Sequence, residues 1–504
     1  MKERWFNYRP LCLIFGFLLL GSVFCFYLNN NMLIAIVTAV LVLSAILVLS
    51  IIKRKAKYFF IPLIAFVLGV LSFQLSVYSF NKTIDYTPTQ ITARIYAVSN
   101  EENGIIKVEA DSCIFDSEKS GDNIIIYIYD NTGIFKNIEV GNIIKFEPYG
   151  FYKSDLFYYE IPSSSLYSSD LKYTTSVLIE DIEFVGFDKN IAEIIKDKIK
   201  NNLSLGVNNE NKEIAYSALF GDKDLLSDKQ YNVYKLSGVA HLLAVSGLHV
   251  GIIAGIIKWA LRFKKSKRWW KFGVIAAIFI FYTYLCGYSV SIMRASIMSL
   301  ILMISELTGK EYDPLNSISI AGITIFVINP LCVFDVAFLL SFSCVFGITL
   351  LYAPIEKVLL KTKVSHKIVK SLAVSLATTI SIVVVMAFYF RTLNIISIIA
   401  NIILIPIFTV AFTAVIVVSI ASMIIPYLSY ILYPINYIFN FINLIATILG
   451  NLSISNFNTI RFNYITIIVY VCFLSFIGRF CTTKYQYKLI SSLSILALLM
   501  VCLL

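Results

Sequence analysis

Two histidines and a serine lie close together in an apolar stretch near the middle of the chain. Residues 238–255 read Gly-Val-Ala-His-Leu-Leu-Ala-Val-Ser-Gly-Leu-His-Val-Gly-Ile-Ile-Ala-Gly and contain His241, Ser246 and His249. Polar side chains in such a run are costly unless a partner or a water-filled path receives them, so they are candidate functional residues. The alternative is that they only bond across helices, which contributes about 0.6 kcal/mol per bond in membrane proteins.

Ser246 and His249 are one helical turn apart, a spacing at which a hydroxyl and an imidazole can form a nucleophilic dyad. The neighbouring residues argue against hydrolysis, because position 244 is alanine where a nucleophile elbow needs glycine and no acidic residue stands nearby to orient the imidazole. Three histidines and scattered cysteines leave too few ligands for a metal centre, and no Walker A sequence occurs. We therefore predict a protein that is not an enzyme and that binds no metal or cofactor.

Glycines recur every four residues through the same stretch, at Gly247, Gly251 and Gly255. On a helix these positions share one face, where the missing side chains let another backbone approach closely. The pattern predicts a packing seam along this helix. Gly238, at the start of the stretch, is a further candidate structural glycine.

Further polar residues stand beside other apolar runs. Arg294 is surrounded by Val, Ile and Met, so we expect it to face the interior of a helix bundle. There it either holds a phosphate or pairs with a carboxylate such as Asp335, and the residues leave both open. Asp313 and Asn316 flank Pro314, which suits the start of a helix.

The composition predicts a multi-pass membrane protein. Of the 504 residues 58% are hydrophobic, and the apolar runs repeatedly exceed the roughly 20 residues that a helix needs to cross a bilayer. We expect a mainly α-helical polytopic protein with roughly ten to thirteen transmembrane helices. The net charge of +11 lies mostly in loops, where the positive-inside rule explains it without nucleic acid and places the N-terminus in the cytoplasm.

A polar insert interrupts these runs at residues 81–188. Residues 81–200 hold 20 acidic and 12 basic side chains, so this part has a net charge of −8. β-rich runs separated by Gly, Asn and Asp predict a small antiparallel barrel, with strands at 90–99, 105–111, 123–129 and 142–149 and a closing strand within 171–187. The preceding apolar run crosses outward, so the insert is predicted to be extracytoplasmic. Its aromatic residues either stack on the bases of a single-stranded nucleic acid or fill the barrel core.

Isoleucines then recur at helical spacing among charged residues, at positions 191, 194, 195 and 199. This narrow apolar stripe predicts an amphipathic helix that lies on the membrane surface. The predicted domains are N-terminal transmembrane helices (1–80), the β-rich insert (81–188), an amphipathic linker (189–212) and a transmembrane channel domain (213–504).

The central stretch resembles the signature of the ComEC family, the inner-membrane channel of natural transformation. Ala-His-Leu-Leu-Ala-Val-Ser-Gly-Leu-His-Val carries the resemblance, preceded by Ala-Leu-Phe-Gly-Asp-Lys with Asp222. Other segments resemble further family motifs: Gly-x-Ser-x-Ser-x-x-Arg ending at Arg294, Asp-Pro-Leu-Asn from Asp313 to Asn316, Asn-Pro-Leu-Cys-Val-Phe-Asp ending at Asp335, and Asn-Ile-Ile-Leu-Ile-Pro starting at Asn401. Position 339 is leucine where the family usually has glutamine.

The resemblance implies an inner-membrane channel that passes one strand of incoming DNA into the cytoplasm. Arg294 would touch phosphate, whereas His241, Ser246, His249 and Asn401 would offer hydrogen bonds along a polar path or brace the helices around it. It also implies an OB-fold-like insert. The implied partners are single-stranded DNA, the lipid bilayer, and a separate nuclease, DNA receptor and cytoplasmic helicase or translocase. Many members carry a C-terminal metallo-β-lactamase-like domain, and we expect this chain to be a form that lacks it.

Two other functions stay open from the residues. One is a transporter or export channel for another polymer, or a membrane scaffold whose polar groups only bind one another. The other is an intramembrane hydrolase that uses Ser246 and His249.

Overall fold

The computed structural model describes residues 9–27, 57–82, 86–100, 104–129, 138–158, 161–222, 226–261, 268–361, 365–452 and 456–458. The chain divides into two compact units. The mixed unit comprises Leu13–Asn201 and Ile323–Asp335, and the helical unit comprises Met1–Cys12, Asn202–Gly322 and Val336–Leu504. These units group the residues differently from the predicted domains, whose boundaries stay predictions.

Long apolar helices confirm a mainly α-helical multi-pass membrane protein. Six described helices are long and apolar enough to cross a bilayer: Ile61–Asn81, Ala240–Leu261, Val290–Thr308, Val336–Leu359, His366–Tyr389 and Ser397–Ser422. The pair Pro426–Leu432 and Ile435–Gly450, bent by 46°, makes a seventh if it is one span, and two apolar helices are shorter. The total of ten to thirteen stays a prediction, because the apolar runs within 28–56 and 459–504 lie outside the described residues.

The helices follow one another along both units. In chain order they are α1 (Pro10–Tyr27), α2 (Lys57–Asn81), α3 (Ser164–Ser168), α4 (Ile191–Gly206), α5 (Asn209–Phe220), α6 (Asp228–Leu236), α7 (Gly247–Leu261), α8 (Arg268–Leu285), α9 (Val290–Thr308), α10 (Pro314–Ile328), α11 (Val336–Leu359), α12 (His366–Tyr389), α13 (Ser397–Ser422) and α14 (Ile435–Gly450). Short 3-10 turns precede α7, α11 and α14.

Strands make up most of the insert, which confirms the predicted small β-rich domain. They are β1 (Ile91–Asn100), β2 (Ile105–Phe115), β3 (Glu118–Lys119), β4 (Asn123–Tyr129), β5 (Asn142–Phe146), β6 (Gly150–Lys153), β7 (Phe157–Tyr158), β8 (Ile161–Pro162), β9 (Leu171–Leu178) and β10 (Glu183–Phe187). Two further short strands, β11 (Thr392–Asn394) and β12 (Asn456–Asn458), pair with each other in the helical unit.

Eight of these strands form one sheet in the order β10-β5-β1-β2-β4-β9-β6, with β3 paired to β2. All its pairs are antiparallel except β4 with β9. Alternate side chains of β2 and β9 are buried, as expected where one face of a strand covers a core. The segment predicted to supply one closing strand, 171–187, instead supplies both β9 and β10. Assignment of the domain to the OB-fold stays a prediction.

An arginine ties the sheet to the helix that follows it. Arg94 on β1 donates from Nε to Asp111 Oδ1 at 2.8 Å and from Nη1 to Glu193 Oε2 at 3.2 Å. The hydrogen bonding with Asp111 raises the pKa of the Arg94 guanidinium. Glu193 also accepts a bond from the Asn190 backbone N–H, at 2.8 Å. The start of α4 is therefore fixed to the sheet by a fully partnered charge cluster.

The predicted amphipathic helix is present as α4, but it ends at Gly206 and α5 begins at Asn209. The apolar stripe does not face one environment, because Ile199 is buried whereas Ile191 and Ile194 are exposed. A position on the membrane surface stays a prediction.

A close helix crossing joins α1 and α2 in the mixed unit. A Cβ added to Gly21 would lie 2.1 Å from Phe66 O, and one added to Gly69 would lie 2.2 Å from Leu18 O. The Ser22 hydroxyl donates across the crossing to Gly69 O at 3.2 Å. Only glycine allows these backbones to approach so closely.

Candidate substrate path in the helical unit

Ser246 and His249 meet at the start of α7. The 3-10 turn Ala240–Leu242 precedes this helix, which begins at Gly247. The Ser246 backbone N–H donates to His249 Nδ1 at 2.9 Å, and the Ser246 hydroxyl lies 2.9 Å from the same nitrogen. This bond corresponds to the half of a capping box in which the side chain of the third helical residue accepts from the N-cap backbone N–H. Here that side chain is an imidazole, whereas glutamate or glutamine is usual. The helix end therefore explains why the two residues are together.

His249 is enclosed by aromatic rings of α13. Its side chain is fully buried, and its ring lies edge to face with Phe412 at a centroid distance of 4.2 Å and with Phe408 at 5.9 Å. Nε2 of His249 has no hydrogen-bond partner among the described residues. One ring nitrogen thus caps a helix, while the other is a buried polar atom left unpaired.

Arg294, on α9, lies against the same helix end. It is 7% exposed and donates from Nη1 to Ser341 O on α11 at 2.6 Å. Its Nη2 is 3.4 Å from the point where a Cβ on Gly247 would stand. Within the described ranges no carboxylate pairs with it, and Nε has no partner. The alternative of an ion pair, left open by the sequence, is not found there.

Four further polar atoms in these helices are buried without a described partner: Ser296 Oγ on α9, Ser341 Oγ on α11, and Asn401 Oδ1 and Ser419 Oγ on α13. Asn401 is seven residues before Phe408, which places both on one face of α13, roughly 10 Å apart along its axis. The sequence indicated Asn401 but not Ser296 or Ser341 as a site residue. Ser296 is two positions after Arg294 on α9, a spacing at which side chains point to different faces, so the spacing carried no signal for it.

Other residues of the motif stretch are not buried with this group. His241 is exposed and shares no described hydrogen bond with His249, although the two rings are close enough to interact electrostatically. Gly251 and Gly255 are exposed too, and an added Cβ at either would meet no described heavy atom within 4 Å. No described residue packs against these two glycines, and the packing seam along α7 stays a prediction there. Gly247 alone has a close neighbour, because Arg294 fills the space beside it.

Gly238 has a structural role that the sequence did not specify. Its φ is +76°, and an added Cβ would lie 2.5 Å from Ser397 Cβ and 3.0 Å from Asn394 Cγ. Asn394 in turn accepts from the Ser397 backbone N–H at 2.9 Å and donates to Leu236 O. Gly238 thus lets the chain after α6 turn tightly against the start of α13.

Asp313 and Asn316 build the start of α10. Asp313 accepts from the Leu315 backbone N–H at 3.0 Å and from Asn316 Nδ2 at 3.1 Å, as an N-cap does. Its carboxylate also pairs with Arg9 Nε at 2.7 Å. Both residues therefore have structural contacts, in keeping with their grouping as a structural motif.

Asp222 and Asp335 stand at ends of helical elements. Asp222 follows Gly221, whose left-handed φ of 80° ends α5. Asp335 follows the 3-10 turn Pro330–Phe334, and its N–H donates to Cys332 O at 3.0 Å. Asp335 belongs to the mixed unit.

The chemistry available at the start of α7 suits an anion. A guanidinium and the positive end of a helix dipole surround Gly247, and neutral hydrogen-bonding groups lie on neighbouring turns. Among the described residues no group of three or more His, Cys, Asp or Glu is placed to hold a metal ion. This arrangement can bind a negatively charged group through charge and hydrogen bonds and release it again, without making or breaking a covalent bond in that group.

Comparison with known proteins gives a consistent family. The family model for Competence protein matches residues 218–484, which is more than half of the chain. ComE operon protein 3 of Bacillus subtilis is 28% identical over 198 residues, covering 39% of this chain and 24% of that protein. Recombination protein 2 of Haemophilus influenzae is 28% identical over 142 residues, covering 26% and 18%.

An uncharacterized protein of Aquifex aeolicus is 28% identical over 183 residues, covering 36% of this chain and 42% of that protein. The matched stretches thus span less than half of the length of each of these relatives. No solved structure matches the chain.

Proposed function

The chain belongs to the Competence protein family, and from this premise we propose that it is an inner-membrane channel for the uptake of single-stranded DNA during natural transformation. The observation that carries the proposal is the group of polar side chains buried inside membrane-spanning helices around Arg294 and His249. Ionisable residues in such segments are expensive, and they mark substrate paths when they face the interior of a bundle.

The arrangement suits passage better than tight binding. A conduit should hold its substrate weakly at several points, so that each contact is easily exchanged for the next. Arg294 on α9 supplies one positive charge, and Ser246, His249, Ser341 and Asn401 supply neutral groups on or beside α7, α11 and α13. The exposed His241 would then meet the substrate at one end of the path.

The β domain is the part that we place outside the cytoplasm, with the N-terminus inside. Its strand order, in which β1 pairs with both β2 and β5 while β4 runs parallel to β9, is in keeping with an OB-fold-like barrel. Its net negative charge favours a role in gating or orienting the strand over one in strong binding. A separate nuclease, a DNA receptor and a cytoplasmic helicase or translocase complete the system.

We further propose that Ser246 and His249 form a helix cap and not a catalytic dyad. The 2.9 Å approach of the hydroxyl to Nδ1 is short enough for proton transfer. However, Nδ1 also accepts the Ser246 backbone N–H, which competes for the same lone pair. No described carboxylate orients the ring, since Nε2 has no partner.

The test is uptake of labelled DNA into the cytoplasm of cells whose transformation depends on this protein. Arg294→Ala should lower uptake by at least about tenfold, because a hydrogen bond to a charged group is worth about 1.5–3 kcal/mol. His249→Ala should lower it as well. Membrane levels of each variant are measured by immunoblot.

Lys258→Ala is the matched control, since it removes a cation from the neighbouring helix α7. Lys258 pairs with Glu306 at 3.4 Å, but both side chains are about half exposed and such pairs contribute little. Normal uptake in Arg294→Ala and His249→Ala at normal protein levels would reject the path. If the protein transports another polymer and its loss does not change DNA uptake, a carrier function for that polymer is favoured instead.

A further inference from the structure

The segment 329–335, one of the family-like motifs, joins the apolar helices α10 and α11 but packs with the β domain. The mixed unit takes in residues 323–335 together with Leu13–Asn201. The 3-10 turn Pro330–Phe334 contacts α2, α3 and β8, and all five of its residues are buried. The β domain therefore rests on this short turn between two helices.

Asn329 uses its whole amide group at this contact. It is 8% exposed, and its Nδ2 donates to Ser164 Oγ at 2.9 Å and to Ser164 O at 3.2 Å, at the start of α3. Its Oδ1 accepts from the Leu331 backbone N–H at 3.0 Å, as an N-cap does. Because unpaired buried polar groups are costly, the amide fixes the direction of the groups that it joins. One side chain thus ties α3 to the start of the turn.

Aromatic rings hold the other end of the turn. The Phe334 ring centroid lies 5.1 Å from that of Phe26 on α1 and 5.8 Å from that of Phe73 on α2. Phe26 also stacks on Phe157 of β7, at 6.5 Å. These contacts keep the domain near α1 and α2, but apolar packing of this kind is not directional.

The contact around Asn329 is not closely packed. A cavity of about 270 Å³ lies beside it, lined by the ends of α2 and α10 and by polar residues that include Ser168, Asp170 and Lys172. A second tie, from Lys153 Nζ to Asn81 O at 3.1 Å, is exposed, so water competes for it. Because packing does not fill this side, the orientation of the domain depends strongly on the two buried bonds of the Asn329 amide.

We propose that Asn329 is a positioning residue for DNA uptake, whose amide holds the β domain in one orientation on the turn Pro330–Phe334. The chain then enters α11 from a fixed point. This matters for the polar path, because Ser341, whose carbonyl accepts from Arg294, lies in the second turn of α11. The proposal deepens the function given above and rests on it.

Asn329→Ser separates the tie to α3 from the cap of the turn. Serine keeps an oxygen that can cap the Leu331 N–H, but its side chain is too short to reach Ser164 as well. We expect Asn329→Ser to lower uptake by about two- to tenfold, the change in an equilibrium that one neutral hydrogen bond produces. Membrane levels of the variant should stay normal.

Asn123→Ser is the matched control. Asn123 Nδ2 donates to Ser169 O at 2.6 Å, so this variant also removes a bond from an amide to a carbonyl. Asn123 is on β4 and Ser169 follows α3, so the lost bond lies within the β domain and leaves the segment 329–335 unchanged. Uptake by Asn123→Ser should stay within about twofold of that by the unchanged protein.

The orientation of the domain is measured without DNA, by pulsed electron paramagnetic resonance on the full chain in nanodiscs. Spin labels replace Glu118 on β3 and Val327 near the end of α10, both of which are exposed. The labels are introduced as non-canonical residues, because the chain has nine native cysteines. We expect one narrow distance distribution in the unchanged protein and in Asn123→Ser, and a broader one in Asn329→Ser.

A broader distribution together with lower uptake, in Asn329→Ser alone, supports the proposal. An unchanged distribution overturns it even if uptake falls, and a broader distribution with normal uptake overturns the positioning role. Equal losses in Asn123→Ser would show a general loss of stability and overturn it as well. Normal uptake in Arg294→Ala would instead reject the proposed function, while the measured distances would still show whether Asn329 orients the β domain.

Discussion

Arg94 and Arg294 are both largely enclosed by protein, one in each compact unit, and they are partnered in opposite ways. Arg94 faces two carboxylates, Asp111 and Glu193. Arg294 donates to a backbone carbonyl, and its Nε has no described partner. A buried charge that is fully paired contributes to the architecture of a domain. One that lacks a counter-ion keeps its charge available, and this difference is why we assign only Arg294 to a substrate path.

The largest expected effect comes from removing each charge in turn. Arg94→Met leaves two carboxylates without their cation, so it should destabilise the sheet by about 3 kcal/mol. Arg294→Met strands no carboxylate and should cost less than about 1 kcal/mol, although we expect it to lower uptake by at least about tenfold. Hydrogen–deuterium exchange of peptides from β1 and β5, and from α9 for Arg294, measures both in the intact protein. Equal destabilisation by the two substitutions would remove the distinction.

A smaller effect tests whether Arg94 stabilises the sheet through its charge. If the cost of Arg94→Met is the unpaired charge of its partners, then adding Asp111→Asn should restore about 1 kcal/mol or more of it. The double variant is compared with each single variant by the same exchange measurement. Additive losses would show that Arg94 acts through packing and not through charge.

The smallest effect concerns pH and a charge at the surface of the β domain. The pKa of Asp116 is lowered by the Thr89 hydroxyl and then by the Gln90 and Thr89 N–H groups. Because its pKa is lower when folded, the carboxylate stabilises the fold above its unfolded pKa of about 3.9, and this is lost as the pH falls further, through the folded pKa. Exchange in β2, corrected for intrinsic rates, should rise on acidification.

Asp116→Asn is the matched variant, since asparagine tolerates the left-handed φ of 46° at this position. It should make the same segment less sensitive to pH below about 4. An unchanged pH dependence would show that other carboxylates govern the acid response.

Much of the fold follows from local patterns. Residues 123–129, predicted as a strand from β-branched composition and flanking turn residues, form β4 with the same bounds. The apolar run after Gly247 forms α7, and the isoleucine spacing after residue 190 forms α4. Each of these depends on side chains within one or two turns of each other, which the sequence displays directly.

Only part of the candidate site could be predicted from local sequence patterns. Ser246 and His249 are three residues apart, so their contact is local and could be anticipated. The acceptor of Arg294 is a carbonyl 47 positions away, and no residue type predicts which carbonyl will be used. The glycine pattern is limited in the same way. Spacing shows which glycines share a face, but it does not show whether another helix lies there.

The sequence by itself determined that this is a helical membrane protein of the Competence family with a β-rich insert, because hydropathy, periodicity and motif are properties of short segments. Only the tertiary structure decided that Gly21 and Gly69 form a close crossing while no described residue covers Gly251 or Gly255, and that Arg294 rests on Gly247 without a described counter-ion. Those outcomes depend on which helices, distant in sequence, pack together, and this is determined by interactions throughout the chain.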